Sequence, residues 1–202
     1  MSDAKIILVD RRTRLVRAWQ RAFANTPVQA VCGDMITVAQ GSAWVSPANS
    51  FGWMDDGVDW AIRQAYDAVY YDITTVVQRA IQIQAGGELP VGQALVIPTP
   101  DTPYTHLIVA PTMRTPRPVF WTVNAYLAFR AILLAAYHWN QDHPETLITT
   151  LYCPGLATGV GRMPARRCAR QMRTAWDQVT QPAESLPMLG HLTLQEQRLR
   201  YR

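Results

Sequence analysis

The chain of 202 residues has room for one domain of generous size. Hydrophobic residues make up 49% and charged residues 17%, which excludes a disordered, collagen-like or low-complexity chain. Nineteen Lys+Arg against fifteen Asp+Glu leave a formal charge of +4, and Lys5 is the only lysine. That excess is too small to imply a polyanionic partner, although arginine is the side chain best suited to bidentate contact with phosphate.

Short β-rich runs alternate with longer helix-period runs, the pattern of an α/β domain. Lys5–Val9 reads as a buried strand too short for a secretory leader, and Arg12–Ala24 as an amphipathic helix presenting Leu15, Val16, Trp19 and Phe23. Strands are expected at Val28–Cys32 and Ala43–Val45, then a helix from about Gly57 and another over Asp72–Ile83, closed by Gly86-Gly87. Ala94–Pro98 and Leu107–Ala110 read as central strands, Phe120–Trp139 as a long apolar helix, Leu147–Tyr152 as a strand and Pro164–Trp176 as a helix. From Thr180 the chain turns polar and its end reads as a loose tail.

Ala125–Trp139 is interrupted by Arg130 and falls short of a membrane span, so no membrane partner is expected. Cys32, Cys153 and Cys168 are odd in number and lack metal-ligand spacing, and the four histidines form no ligand set. A reduced, cytoplasmic protein with no metal and no cofactor is expected. The Lys5–Asp10 run before a helix resembles the opening of a phosphoacceptor receiver domain. A receiver needs a later lysine, and none follows Lys5.

The chain has only eleven glycines, and two glycine-bearing loops sit where a strand hands over to a helix. The first runs from Val45 through Asn49, Trp53, Asp55 and Asp56 to Gly57-Val58-Asp59. The second runs from Cys153 through Gly155 and Thr158-Gly159-Val160-Gly161 to Pro164. Such loops let backbone N–H groups approach an anion, and the helix N-terminus behind each favours negative charge. Together they suit a diphosphate. Neither is a Walker loop or G-x-G-x-x-G, which disfavours a P-loop nucleotidase or an ordinary dehydrogenase.

Gly33-Asp34-Met35-Ile36, Val45-Ser-Pro-Ala-Asn-Ser50, Gly57-Val58-Asp59 and Thr158-Gly159-Val160 resemble, in order and spacing, the signatures of a macrodomain. The resemblance runs from about Cys32 to Trp176. It implies a three-layer α/β/α fold with a central mixed sheet over residues 1–180, with a strand-helix extension over 1–27 and a polar tail over 181–202. It implies ADP-ribose or an ADP-ribosylated substrate as ligand, and hydrolysis of a glycosidic or ester ADP-ribosyl bond as the activity. By the same resemblance, Asp34 accepts from the adenine amine and Ile36 lines the adenine pocket. Asn49 contacts the distal ribose, and Gly57-Val58 and Thr158–Gly161 cradle the diphosphate. Asp59 falls on the aspartate beside the scissile anomeric carbon. Three departures stand out: Met54-Asp55-Asp56 replaces most of a glycine run, Gly161 stands where an aromatic is usual, and Ser46 replaces the first asparagine.

Each assignment has a plainer alternative. Asp59 in a first turn is expected to stay ionised and serve as a general base, or simply to stabilise its helix. Asp34 also suits an N-cap or turn, and Asn49 a turn, although the motif context favours binding for both. Trp53 on the first loop is the stacking candidate, and Arg162 flanks the second loop near an anion site. Arg167, Arg170 and Arg173 read as exposed, and Arg11, Arg12, Arg14, Arg17 and Arg21 as a solvated helix face. A non-catalytic reader of ADP-ribose is the first rival reading. A nucleic-acid module ranks last, since interleaved exposed aromatics are missing. Oligomeric state is not legible.

Overall fold

β1 (Lys5–Asp10) is covered on both faces, which is why Ile6, Ile7, Leu8 and Val9 are apolar in an unbroken run. The computed structural model describes residues 4–39, 41, 43–100, 102–181 and 185–201. After β1 come α1 (Thr13–Ala22), β2 (Gln29–Cys32), α2 (Met35–Val38), β3 (Ala43–Ser46), α3 (Gly57–Asp67) and α4 (Ile73–Ala85). The chain continues through β4 (Leu95–Pro98), β5 (His106–Val109), α5 (Asn124–Asp142), β6 (Thr150–Cys153), α6 (Ala165–Thr180) and α7 (Leu189–Tyr201).

The strands form one mixed sheet in the order β2-β1-β6-β3-β5-β4, parallel except for the antiparallel β4–β5 pair. Successive side chains point to opposite faces. Leu8, Val45 and Ile108 join a core with Leu15 and Trp19 of α1, Phe129 of α5 and Met172 of α6. Val9, Trp44 and Leu107 join a second core with Met35 of α2, Tyr66 of α3 and Val77 of α4. Helices on both faces complete the three-layer α/β/α fold.

Several elements differ from the sequence-based expectation, each for a physical reason. β1 lies between β2 and β6, so the strand expected at the start of the 1–27 segment is an inner strand of the sheet. β4 is an edge strand, where Pro98 lacks no needed donor. α5 begins at Asn124 and not Phe120, because Thr122 Oγ1 accepts from Asn124 N at 3.2 Å and turns the preceding segment. β6 begins at Thr150 because the Ile148 N–H and C=O are both taken by the Asn140 side chain, at 2.7 and 3.0 Å.

The loose tail is also corrected: Leu189–Tyr201 is helical, while residues 182–184 and Arg202 lie outside the described residues. The helix escapes detection because Leu189, Leu192 and Leu194 remain exposed, so no apolar stripe marks it. Its anchor is Leu199, 4% exposed, whose carbonyl accepts from Gln171 Nε2 at 3.1 Å. Leu199→Ala is expected to lower unfolding free energy by about 2 kcal/mol. Urea midpoints at constant slope measure this; an unchanged midpoint would mean α7 does not dock in solution.

Candidate functional site

In a parallel sheet the loops leaving the carboxyl ends of the strands share one edge, the usual place for a ligand. Here that edge gathers Asp10 at the end of β1, Asp34 after β2, the loop after β3 and the loop after β6.

The first loop is shaped by Asn49, which is buried. Its Oδ1 accepts from Phe51 N at 3.1 Å and its Nδ2 donates to Trp53 O at 3.0 Å. Thr112 stitches the loop to the segment after β5, its N donating to Ala48 O at 3.2 Å and its Oγ1 to Pro47 O at 3.1 Å. Trp53 stays 58% exposed. α3 then opens with Asp56 as N-cap, its Oδ1 accepting from Gly57 N at 2.7 Å. The N–H groups of Val58 and Asp59 have no protein acceptor among the described residues, as expected in a helical first turn.

Asp59 sits at the floor of this loop, where Ser46 Oγ donates to its Oδ1 at 2.6 Å. Burial pushes the carboxyl up to about 7; the Ser46 hydrogen bond pulls it down, and the charges of Asp55 and Asp56 push it up again. The expectation that the helix dipole keeps Asp59 ionised is therefore corrected. Desolvation and two like charges outweigh a dipole worth roughly 0.3–1 kcal/mol.

The second loop holds two non-glycine residues in the left-handed region, Ala157 (φ 58°) and Arg162 (φ 53°). Its internal bonds run from Thr158 Oγ1 to Gly155 O (3.1 Å), Arg162 N to Gly159 O (2.9 Å) and Met163 N to Ala157 O (2.9 Å). A Cβ on Gly161 would fall 2.5 Å from Ala157 O and 2.9 Å from Val119 Cγ2. A side chain at that position would have to displace the Ala157 carbonyl, so the aromatic that the resemblance implies has no room there. The N–H groups of Gly159, Val160 and Gly161 have no protein acceptor among the described residues.

The loops bound two adjoining cavities. One, about 360 Å³, is lined by Asn49, Trp53, Asp55, Asp56, Asp59, Val160 and Gly161 among others. The other, about 420 Å³, is lined by Asp10, Arg11, Arg12, Asp34 and Met35 among others. Gly57, Val58, Gly155, Thr158 and Gly159 line both. The structure thus gathers nearly all the residues singled out from the sequence. Two fall outside: Ile36 lines neither cavity and packs against the core, and Arg162 is exposed and lines neither. Arg114, on a loop near the site, instead grips Glu88 at 2.7 and 2.8 Å and lies 5.2 Å from the Phe51 ring.

Asp34 takes the N-cap geometry of its plainer alternative, accepting from Ile36 N at 3.0 Å, and it also pairs with Arg11. The second cavity contains residues that sequence reasoning missed. Arg11 and Arg12, read as part of a solvated face, both line it, and Arg12 reaches across to Thr158. The available signal was their place immediately after the first strand of a parallel sheet. Among the described residues, no group of three His, Cys, Asp or Glu could hold a metal ion, and no helix is long and apolar enough to cross a membrane. Burial pushes the Cys168 thiol up to about 12 and that of Cys153 well above its ordinary value, so neither is a ready nucleophile.

A family model described as Macro domain matches residues 45–172, more than half of the chain. An uncharacterized protein of Aeropyrum pernix is 28% identical over 148 residues, which is 73% of this chain and 70% of that protein. Among solved structures, the macrodomain of Mycobacterium tuberculosis DarG is similar with a TM-score of 0.57 and 20% identity, over 73% of this chain and 88% of that one. A mutant Oceanobacillus iheyensis macrodomain with ADPR matches with a TM-score of 0.58 and 17% identity, over 91% of this chain and 82% of that one.

The raised carboxyl of Asp59 has a consequence for stability. Between the unfolded value of 3.8 and the folded value of about 7, the folded state holds the extra proton. This contribution is complete below 3.8 and is lost as pH rises through 7. Asp59→Asn should therefore raise Tm relative to the parent at pH 8, with the gap closing toward pH 4. Thermal melts across that range check the sign, and a gap that widens on acidification would contradict it.

Proposed function

The chain belongs to the macrodomain family, and from that premise we propose that it binds ADP-ribose across its two cavities and hydrolyses an ADP-ribosyl bond. The observation that carries this reading is the wall common to both cavities, formed by Gly57, Val58, Gly155, Thr158 and Gly159. Backbone N–H groups without protein acceptors on either side of that wall suit a diphosphate, and α3 adds the positive end of its dipole.

The adenosine then occupies the cavity of Asp34, whose carboxylate accepts from the adenine amine while keeping its bonds to Arg11 and Ile36 N. A carboxylate has about four lone-pair sites, so a third donor is accommodated. The distal ribose occupies the cavity of Asn49, Trp53 and Asp59. Since Gly161 has no space for a ring, Trp53 on the facing loop supplies the stacking surface.

For hydrolysis, ionised Asp59 accepts a proton from water as the water oxygen bonds to the anomeric carbon. The bond from that carbon to the leaving group breaks, and the leaving atom takes the proton that Asp59 received from the water, which restores the carboxylate. Ser46 holds the carboxylate in one rotamer. A mono-ADP-ribosylated protein and O-acetyl-ADP-ribose are the two substrate classes; in the acetyl ester the activated water adds instead to the acyl carbon, and the ribose oxygen leaves with the proton that Asp59 received. A reduced cytoplasmic setting is part of the proposal, in keeping with three free thiols. The burial of Asp59 beside Asp55 and Asp56 favours a non-catalytic reader instead, since it raises the carboxyl and opposes the ionised form that a base needs.

Calorimetry with ADP-ribose tests the binding step, with micromolar affinity expected; no heat at millimolar ligand would remove both readings. Turnover of both substrate classes should be lost in Asp59→Ala, and kcat/KM of the parent should rise with pH through about 7. Equal, negligible turnover in parent and variant would leave the reader. Trp53→Ala should weaken ADP-ribose by roughly two- to tenfold, from the ~0.5–1.5 kcal/mol of a ring contact, and leave AMP unaffected.

A further inference from the structure

We propose that Arg12, held by Asp10, is the positioning residue of the second glycine loop and sets the direction of its Gly159 N–H. Both residues precede the segment matched by the family model, which begins at residue 45. Arg12 Nε donates to Asp10 Oδ1 at 2.9 Å and its Nη2 to Asp10 Oδ2 at 2.8 Å, a bidentate pair. The Arg12 backbone N–H adds a third bond to Asp10 Oδ1, at 2.8 Å. The far edge of the guanidinium spans to the other loop, Nη1 donating to Thr158 O at 2.8 Å and Nη2 to Thr158 Oγ1 at 2.6 Å.

The loop needs such a strut. Left-handed Ala157 and Arg162 conflict with the preference of residues bearing a Cβ, and such conformations persist only where surrounding contacts over-determine them. The contacts around Gly155 are equally tight. A Cβ there would lie 2.4 Å from Thr158 Oγ1, 2.6 Å from Leu15 Cδ2 and 2.8 Å from Asp10 Oδ2. Asp10, Arg12, Gly155 and Thr158 therefore form one packed unit at the end of β1.

The consequence for the site follows from peptide geometry. The Thr158 carbonyl and the Gly159 N–H belong to one planar trans unit and point in opposite directions. Fixing the carbonyl on Arg12 turns the N–H away from Arg12. That N–H has no protein acceptor among the described residues, and a Cβ on Gly159 would meet nothing within 4 Å. The donor is thus held open on a residue that lines both cavities. A partly exposed ion pair alone contributes little, but a bidentate pair with two further bonds to one residue is a geometric device.

The ligand side of this inference rests on the ADP-ribose reading; the loop side does not. The test uses the full chain with Arg12→Met, Arg12→Lys and Asp10→Asn, and with Arg17→Met as a charge control on α1. Deuterium uptake of residues 155–163 in the unliganded protein is read first. Arg12→Met and Arg12→Lys should each accelerate it by about tenfold with β1 and α6 unchanged, since an ammonium cannot replace the fork. Asp10→Asn should accelerate it less, and covers the case in which Arg12→Met fails to fold.

ADP-ribose affinity is read second and should fall by about tenfold in Arg12→Met. Arg17→Met should change neither readout. Unchanged uptake at 155–163, or acceleration spread equally over β1 and α6, would overturn the proposal. So would a loosened loop with full ADP-ribose affinity. Accelerated exchange with no ADP-ribose binding even by the parent would uphold the strut and remove the ligand reading.

Discussion

The strands β1, β6 and β3 run parallel through the middle of the sheet with both faces buried. Leu8 is paired with Cys153, and Trp44 with Tyr152, so their carboxyl ends finish close together. A one-residue slip would exchange the two cores, moving Leu8 and Val45 to the side of Trp44. The register is therefore held by burial on both faces, and with it the relative placement of the loops after β3 and β6. The cleft is a by-product of this constraint. Two loops leaving adjacent strand ends must face each other, and the helices that follow them begin at the same edge.

Given that frame, the electrostatics of the cleft follow from who is solvated. Anion recognition falls to backbone N–H groups at the start of α3 and in the second loop. Carboxylates collect at one end: Asp55, Asp56 and Asp59 line one cavity, and among the described residues no lysine or arginine lines it with them. Asp59 feels the competition most sharply. The first turn of α3 offers it a partial positive charge, and Ser46 offers it a proton. Burial and its two neighbours raise it to about 7 nonetheless. A first-turn position favours ionisation, and here burial and neighbouring charge overrule it.

The two loops, their helices and the residues facing across them were legible because glycine is scarce here and its positions stand out. The order of four short motifs then gave the fold class. What escaped shares a different property: its meaning lies in a partner far away in sequence. Arg12 and Thr158 are separated by 146 residues, and no local pattern links them. Ser46 reads as a lost asparagine until its Oγ is seen on Asp59. Pro98 reads as the end of a central strand until β4 is found at the sheet edge. Arg162 was attractive because it adjoins the glycine loop, yet its left-handed backbone leaves it exposed and outside both cavities.

The arginine-rich composition takes on a different meaning in this light. Among the described arginines, Arg11 and Arg12 alone line these two cavities, and each is already paired with a carboxylate, Asp34 or Asp10. The positive charge of the chain is thus largely separate from its anion site. This division has a physical advantage. A guanidinium aimed directly at a diphosphate would oppose the dipoles of α3 and α6 in the empty state, whereas one turned onto Asp10 and Thr158 is satisfied with or without ligand. Arginine serves this cleft as a frame, and the peptide groups it braces are left to meet the charge.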